Sequence, residues 1–476
     1  MKHHQFAGSV FFSIALAASA ASAGVTEWRG ESGTSIATGD NWSTHENGDD
    51  IYLVNSPNAA ALGEGESFNA GEKVFYVGRG YAKNDQGEWG TSTDYDKGAT
   101  LNINGGTFTS SAIVWVGGGF SDYMDCILNI SGGEMRVFKL FTGDCASNPD
   151  KAGHPKVNAI NLSGGTLATT DNFQLGNYYQ STNALLQTGG TFAPGSGEGK
   201  YSFTIGCSGK ATYDLNDGEF IPPDETHVGR NQGAIGVFNI NKDVAIKTTH
   251  VGRDGGTGIM NVNAGKTTLD VVEDWYRGLN LGWGENSGSK GYLNIAEGAV
   301  LETVERESGY ANLIRIGTHA GSYGELNVRG TLRDNFANWQ GGLLIAIQEQ
   351  KAEKVSEGVL NNWGRTYSKG GVRVAYGAGS KGTLNIYDGI VENNGDFIAG
   401  QGAGTTARVV VNGGALVTIP AESASGMAMT RKPMWRSTAA RYRTSSSTST
   451  SAAAFRLLNG MDMSKQATPT HTRSLS

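Results

Sequence analysis

The sequence predicts an all-β chain, a right-handed parallel β-helix of about twelve irregular coils with a disordered C-terminal tail. Three observations carry this. Glycine is abundant, 71 of 476 residues, against only 9 prolines. Two short phrases of alternating apolar and polar residues recur through the body. No stretch repeats its apolar residues at the 3.6-residue spacing of a helix. Charged residues are 17% and aromatics 9%, which fits a folded, Gly-punctuated chain better than a disordered one. The net charge of −7 argues against a nucleic-acid partner, which would need a basic face.

Residues 1–23 read as a signal peptide. Lys2 precedes a short apolar run from Phe6 to Ala18, and Ala21-Ser22-Ala23 fits the small-x-small cleavage pattern. The mature chain is therefore expected to begin at Gly24 and to be exported. No later run approaches ~18 consecutive apolar residues, so no transmembrane segment is expected in the mature chain. Residues 24–98 form an entry and capping region with the first strands.

Residues 99–420 are the repeat domain. The first phrase is Leu101-Asn102-Ile103 followed by Gly105-Gly106. It recurs at Leu128-Asn129-Ile130 with Gly132-Gly133 and at Ile160-Asn161-Leu162 with Gly164-Gly165. Looser copies start at Leu185, Tyr213, Phe238, Met260, Leu293, Leu326, Leu384 and Val409. The gap from Leu326 to Leu384 is two periods long, which predicts a further copy at Val359-Leu360-Asn361. The second phrase is apolar-x-apolar-Gly, as in Phe75-Tyr76-Val77-Gly78, Val114-Trp115-Val116-Gly117 and Phe173-Gln174-Leu175-Gly176. It continues through Ile205-Gly206, Val228-Gly229, Val251-Gly252, Leu281-Gly282 and Ile316-Gly317.

Both phrases have the period of a strand, and the glycines after them supply turns. A unit this short cannot bury its own apolar face, so units must stack. A propeller blade needs four strands in ~40–50 residues, which exceeds the period here. A β-helix with one unit per coil fits, and about twelve coils spaced at ~4.8 Å make a rod of roughly 60 Å. The Asn of the first phrase either points outward as a polar strand residue or sits at a bend and bonds its equivalents above and below. Both readings are structural.

The repeated Leu-Asn-Ile phrase and its Gly-rich turns resemble the passenger β-strand repeats of autotransporter-like bacterial surface proteins, including large secreted PEP-CTERM-type repeat proteins. Trp28-Arg29-Gly30 followed by Gly39-Asp40-Asn41-Trp42 is similar to the opening such proteins show after their signal peptide. The resemblance spans residues 24–420. It implies a secreted or surface-exposed bacterial protein with an adhesin-like role.

Residues 421–476 change in character. They carry eight basic residues, among them Arg431, Lys432, Arg436 and Arg441, against Glu422 and Asp462 alone. Thr444 to Ala454 is almost entirely Ser, Thr and Ala. This composition predicts disorder. The stretch is either a basic tail that touches anionic polymer or an artefact such as a frame change that replaced the true C-terminus.

Candidate chemistry is sparse. His227 and His250 occupy equivalent positions one period apart, each followed by Val-Gly-Arg. Stacked, they are weak metal-ligand candidates. Trp115, Gln174, Asn280 and Arg315 hold the same position in other copies, so the row reads first as a solvated outer face. Glu273-Asp274-Trp275-Tyr276-Arg277, with Trp283 and Glu285, is the densest polar-aromatic cluster. If the chain is an enzyme, Glu273, Asp274 and Glu285 are its candidate acid/base groups. Trp275, Tyr276, Trp283, Trp339, Trp363 and Tyr367 are candidate ligand platforms, with Arg365 nearby. Asp94-Tyr95-Asp96 lacks the third ligand and distal Glu of a Ca²⁺ loop, so no cofactor is expected. Of three cysteines, Cys126 and Cys145 either form a disulfide in an oxidising compartment or stay free. No P-loop, H-E-x-x-H or G-x-S-x-G motif is present. The expected role is structural or adhesive, a rod presenting loops and polar ladders to glycans or matrix polymers. A polysaccharide lyase or glycoside hydrolase on the same scaffold, and a non-catalytic carbohydrate-binding protein, are the alternatives.

Overall fold

A computed structural model describes residues 24–28, 33–45, 49–54, 59–79, 81–83, 89–91, 99–118, 125–143, 157–178, 181–199, 201–271, 278–284, 287–305, 313–335, 342–348 and 354–418. The signal segment, the 421–476 stretch and Asp94-Tyr95-Asp96 lie outside the described residues. Within them the chain is a parallel β-helix, as the repeat predicts. Its elements are short strands and one 3₁₀ turn, Gly39–Asn41. No helix among the described residues is long and apolar enough to cross a membrane.

From Ile235 on, each complete coil carries three strands, which stack into three rows. In one mid-chain coil these are Thr257–Val262, Lys266–Leu269 and Gly278–Trp283. The next coil repeats them as Lys290–Ile295, Val300–Thr303 and Leu313–Thr318. Pairing is parallel and in register: Met260, Asn261 and Val262 face Leu293, Asn294 and Ile295. The first sheet holds the Leu-Asn-Ile phrase and runs from Ala60–Leu62 to Thr406–Val411. The copy expected at Leu360 is there, paired with Leu326 on one side and Leu384 on the other. The second sheet follows the Gly-Gly turn, and the third holds the apolar-x-apolar-Gly phrase. In the N-terminal half several strands run on around a corner, as Thr107–Gly118 and Thr182–Ala193 do. At the start of the rod Gly24–Trp28 pairs antiparallel with Trp42–His45 and parallel with Asp49–Val54. Trp42 stacks on Phe68 there, with ring centroids 5.5 Å apart.

Strand alternation places the core. In Ala99–Ile103 and Cys126–Ile130 every second residue is buried, and Leu101, Ile103, Leu128 and Ile130 are fully so. Each such side chain contributes roughly 1.5–3 kcal/mol of transfer free energy. Aromatics fill the interior from Phe173 to Phe238. Phe173, Phe192 and Phe203 meet edge to face at 5.0–5.4 Å, and Tyr213 stacks on Phe238 at 4.9 Å. The Tyr213 hydroxyl donates to Gln187 Oε1 at 2.6 Å, and Gln187 Nε2 donates to the Glu219 carbonyl at 2.9 Å. That polar pair is therefore satisfied inside the core.

The glycine closing the second phrase is a steric necessity. Gly252 has φ 72°, and a Cβ there would lie 2.0 Å from the Lys290 carbonyl oxygen of the next coil. Ala346 and Ala375 hold the equivalent place in two later coils with φ 57° and 59°, a left-handed conformation that costs L-residues free energy.

The Asn of the first phrase combines its two readings: it points outward and it forms a ladder. Asn129 donates through Nδ2 to Asn102 Oδ1 at 2.8 Å, and Asn161 to Asn129 at 2.8 Å. Asn239 donates to Asp214, then Asn261, Asn294, Asn327, Asn361 and Asn385 each donate to the previous coil at 2.7–2.9 Å. The row is interrupted at Leu186, which faces Asn161 and Asp214 and is 37% exposed.

Two outcomes follow from the ladder. Asn294→Ala removes one hydrogen bond on each side and should lower unfolding free energy in urea by about 1–2 kcal/mol. Leu186→Asn lets a new amide donate to Asn161 and should raise stability by up to ~1 kcal/mol, because Asp214 offers it no donor in return. A neutral effect of Asn294→Ala would show that the ladder contributes nothing.

Candidate functional site

The third sheet carries the buried basic side chains His227, His250, Arg315 and Arg373. Its outward row runs Thr204, His227, His250, Asn280, Arg315, Leu344 and Arg373, each paired with the next. Alternation alone makes this a solvated face. The structure corrects that expectation: His227 is 2% exposed, His250 4%, Asn280 0% and Arg315 1%. Neighbouring side chains close over the row. Trp283 packs edge-on against His250 at 5.1 Å and against His319 at 4.5 Å. Arg253 and Glu225 cover His227.

The two imidazoles stack with centroids 5.3 Å apart and planes 22° apart. Arg253 Nη1 donates to His227 Nδ1 at 3.4 Å, and His227 Nε2 faces Glu225 Oε2 at 3.4 Å. Asn280 Nδ2 donates to His250 Nδ1 at 3.4 Å, and Arg315 Nη1 donates to Asn280 Oδ1 at 3.1 Å. A guanidinium and an amide nitrogen can only donate, so both Nδ1 atoms accept and each ring carries its proton on Nε2. Burial holds both histidines well below the ordinary range, and the charges of Arg253 and its neighbours push the same way.

Glu225, His227 and His250 place one ligand atom each within 4.8 Å of one another. The rings are uncharged, as metal ligation needs. Two features oppose a cation. The protons sit on the Nε2 atoms, and a flipped tautomer would aim Nδ1–H at the donors of Arg253 and Asn280. Arg253 Nη1 also lies 3.6 Å from Glu225 Oε2, so a guanidinium already supplies the positive charge there. The geometry suits a hydrogen-bonded stack better than a metal centre.

The other candidates are dispersed. Glu273, Asp274, Trp275, Tyr276, Glu285 and Trp339 lie outside the described residues. Trp283 joins the histidine stack. Trp363 lies in the turn after the first sheet, stacked on Tyr387 at 4.7 Å with Arg329 over its ring at 5.0 Å. Tyr367 is in the second sheet and accepts a hydrogen bond from Asn394 at 3.0 Å, while Arg365 beside it pairs with Glu392 at 2.9 Å. Trp283, on the third sheet, therefore does not share a face with Trp363 and Tyr367. Cys126 is buried in the first sheet, and Cys145, its proposed partner, lies outside the described residues. Sequence reasoning passed over Glu225. It stands two residues before His227, so strand alternation puts it on the same face.

A concavity of about 310 Å³ opens where the second sheet is interrupted, between Glu219-Phe220 and Val244. Lys242 bridges the break by donating to the Gly218 carbonyl and pairing with Asp217 at 3.3 Å.

No protein-family model, curated protein or solved structure matches the chain.

The buried pair makes stability depend on pH. The unfolded histidines take up protons near pH ~6.5 and the folded ones only well below it, so the unfolded state binds more protons in that window. Stability is fully present above pH ~6.5 and falls as pH drops, by up to about 2.7 kcal/mol per unit for the two rings together. His250→Asn should roughly halve that slope in urea midpoints measured from pH 7 to pH 5. An unchanged slope would mean that His250 titrates alike in both states.

Proposed function

We propose that this is an exported bacterial surface or extracellular protein with a structural and adhesive role. It is a stiff β-helical rod that presents side chains and inter-coil loops to glycans or matrix polymers. The observation that supports this most is where the polar rows spend their hydrogen bonds. The Asn ladder and the histidine stack bond mainly to the coil above and the coil below, as side chains that hold a rod together do. The signal-like residues 1–23 and the resemblance to passenger-type repeats support export and surface display. A glycan lyase or hydrolase is the second reading, favoured by the acidic and aromatic cluster around Glu273 and Asp274.

Residues 24–420 incubated with a panel of neutral and acidic polysaccharides separate the two. The rod reading expects retention of some of these polymers with no new reducing ends and no unsaturated product. Release that disappears in Glu273→Ala or Asp274→Ala would replace it with the enzyme.

A further inference from the structure

Beside the buried histidine row, where the third-sheet strands end, runs a second row formed by the residues just after the closing glycines. It reads Cys207, Arg230, Arg253 and Trp283 in four successive coils. Arg253 is in register with Trp283. The Arg230 amide bonds the Gly206 carbonyl at 2.9 Å and the Arg253 amide bonds the Gly229 carbonyl at 2.8 Å, so these residues climb the rod one coil at a time. Arg230 stands two residues past the end of Glu225–Val228 and Arg253 ends Thr248–Arg253, so the two arginines leave the main chain one coil apart, and like charges so placed repel. Arg253 has its compensation, Glu225 at 3.6 Å and Asp254 at 3.2 Å. Arg230 has no ion pair among the described residues; the Nε atoms of both arginines are buried without a hydrogen-bond partner, so the missing carboxylate is what sets Arg230 apart. Asn231, next along the chain, turns its amide to Ser208 at 3.0 Å and to the Cys207 sulfur at 3.6 Å, and so does not serve Arg230.

An unneutralised guanidinium beside a neutralised one is a seat for an oxyanion. Arginine's planar fork takes a carboxylate or a sulfate ester through two parallel hydrogen bonds. One coil beyond Arg253 lies the half-buried indole of Trp283, a flat apolar surface of the kind on which a sugar ring stacks. The rise between coils, ~4.8 Å, is close to the length of one pyranose along an extended chain. The same positive charges that disfavour a metal at the histidines favour an anion here.

We infer that Arg230, Arg253 and Trp283 form a subsite for an acidic glycan lying along the rod, with its anionic group on Arg230 and a neighbouring ring on Trp283. The inference rests on the glycan-binding reading above and narrows it to polymers bearing carboxylate or sulfate.

The test is affinity electrophoresis of the full chain through gels holding a uronic-acid polymer, a sulfated polymer or a neutral glucan, at low and at raised salt. Wild type should be retarded by at least one acidic polymer and less so at high salt. Arg230→Gln should weaken that retardation at least tenfold, Arg230→Lys should recover part of it, and Arg365→Gln, on the second sheet, should leave it unchanged. Which acidic gel retards the protein tells uronate from sulfate. Equal retardation of Arg230→Gln and wild type would overturn the subsite, and would move the binding elsewhere, including the basic 421–476 stretch. Retardation by the neutral glucan alone would overturn the subsite and keep the glycan-binding reading. No retardation in any gel would overturn both. A circular-dichroism melt of each variant against wild type separates lost binding from lost folding.

Discussion

Everything in this molecule hangs on the parallel backbone hydrogen bonds that join each coil to the next. A single coil of two or three short strands has no partner for its outward N–H and C=O groups and too little apolar surface to fold alone. Once a second coil lies on it in register, Leu falls on Leu, Asn on Asn and Gly on Gly, as Leu326, Asn327 and Gly324 fall on Leu293, Asn294 and Gly291. A one-residue slip would turn every Leu outward and every Asn inward. The register thus protects the core and the ladder together.

The same stacking governs the polar residues. Bonds from coil to coil turn the outward Asn row into two runs, broken at Leu186, in which each amide donates in one direction. On the third sheet, stacking carries His227, His250, Asn280 and Arg315 into a dry environment, where their donors and acceptors must be arranged consistently. Arginines and an asparagine donate, so the histidines accept and remain uncharged. A group that stands beside this row without a carboxylate of its own, such as Arg230, is therefore distinctive chemically. Most polar residues around it are already spoken for by the neighbouring coil.

Much of the fold was legible because its signals are local. The Leu-Asn-Ile phrase, its glycines and their spacing give the three-dimensional repeat, and the gap in that spacing locates the degenerate copy at Leu360. Two features were not legible, for a physical reason. Ala346 and Ala375 replace the closing glycine while keeping its left-handed conformation, so a search for glycine misses both coils. The burial of the histidine row depends on Trp283, Arg253 and Glu225 folding over it from adjacent coils. Alternation within a strand says which way a residue points, and nothing about what covers it. The candidate site was therefore recognised as a pair of equivalent histidines but misread as solvated, and Glu225 was missed.

Amide hydrogen exchange, resolved coil by coil on the intact chain, tests the stacked architecture most directly. A rod whose coils are held only by their neighbours should protect its middle strands most, with Met260 to Val262 and Leu293 to Ile295 exchanging near the rate of global unfolding. The last described coil, Thr406–Val411 and Ala415–Thr418, whose residues are only partly buried, should exchange orders of magnitude faster. Middle strands that exchange as fast as those of the last coil would contradict the stack of coils from which the ladder, the buried histidines and the arginine row are all derived.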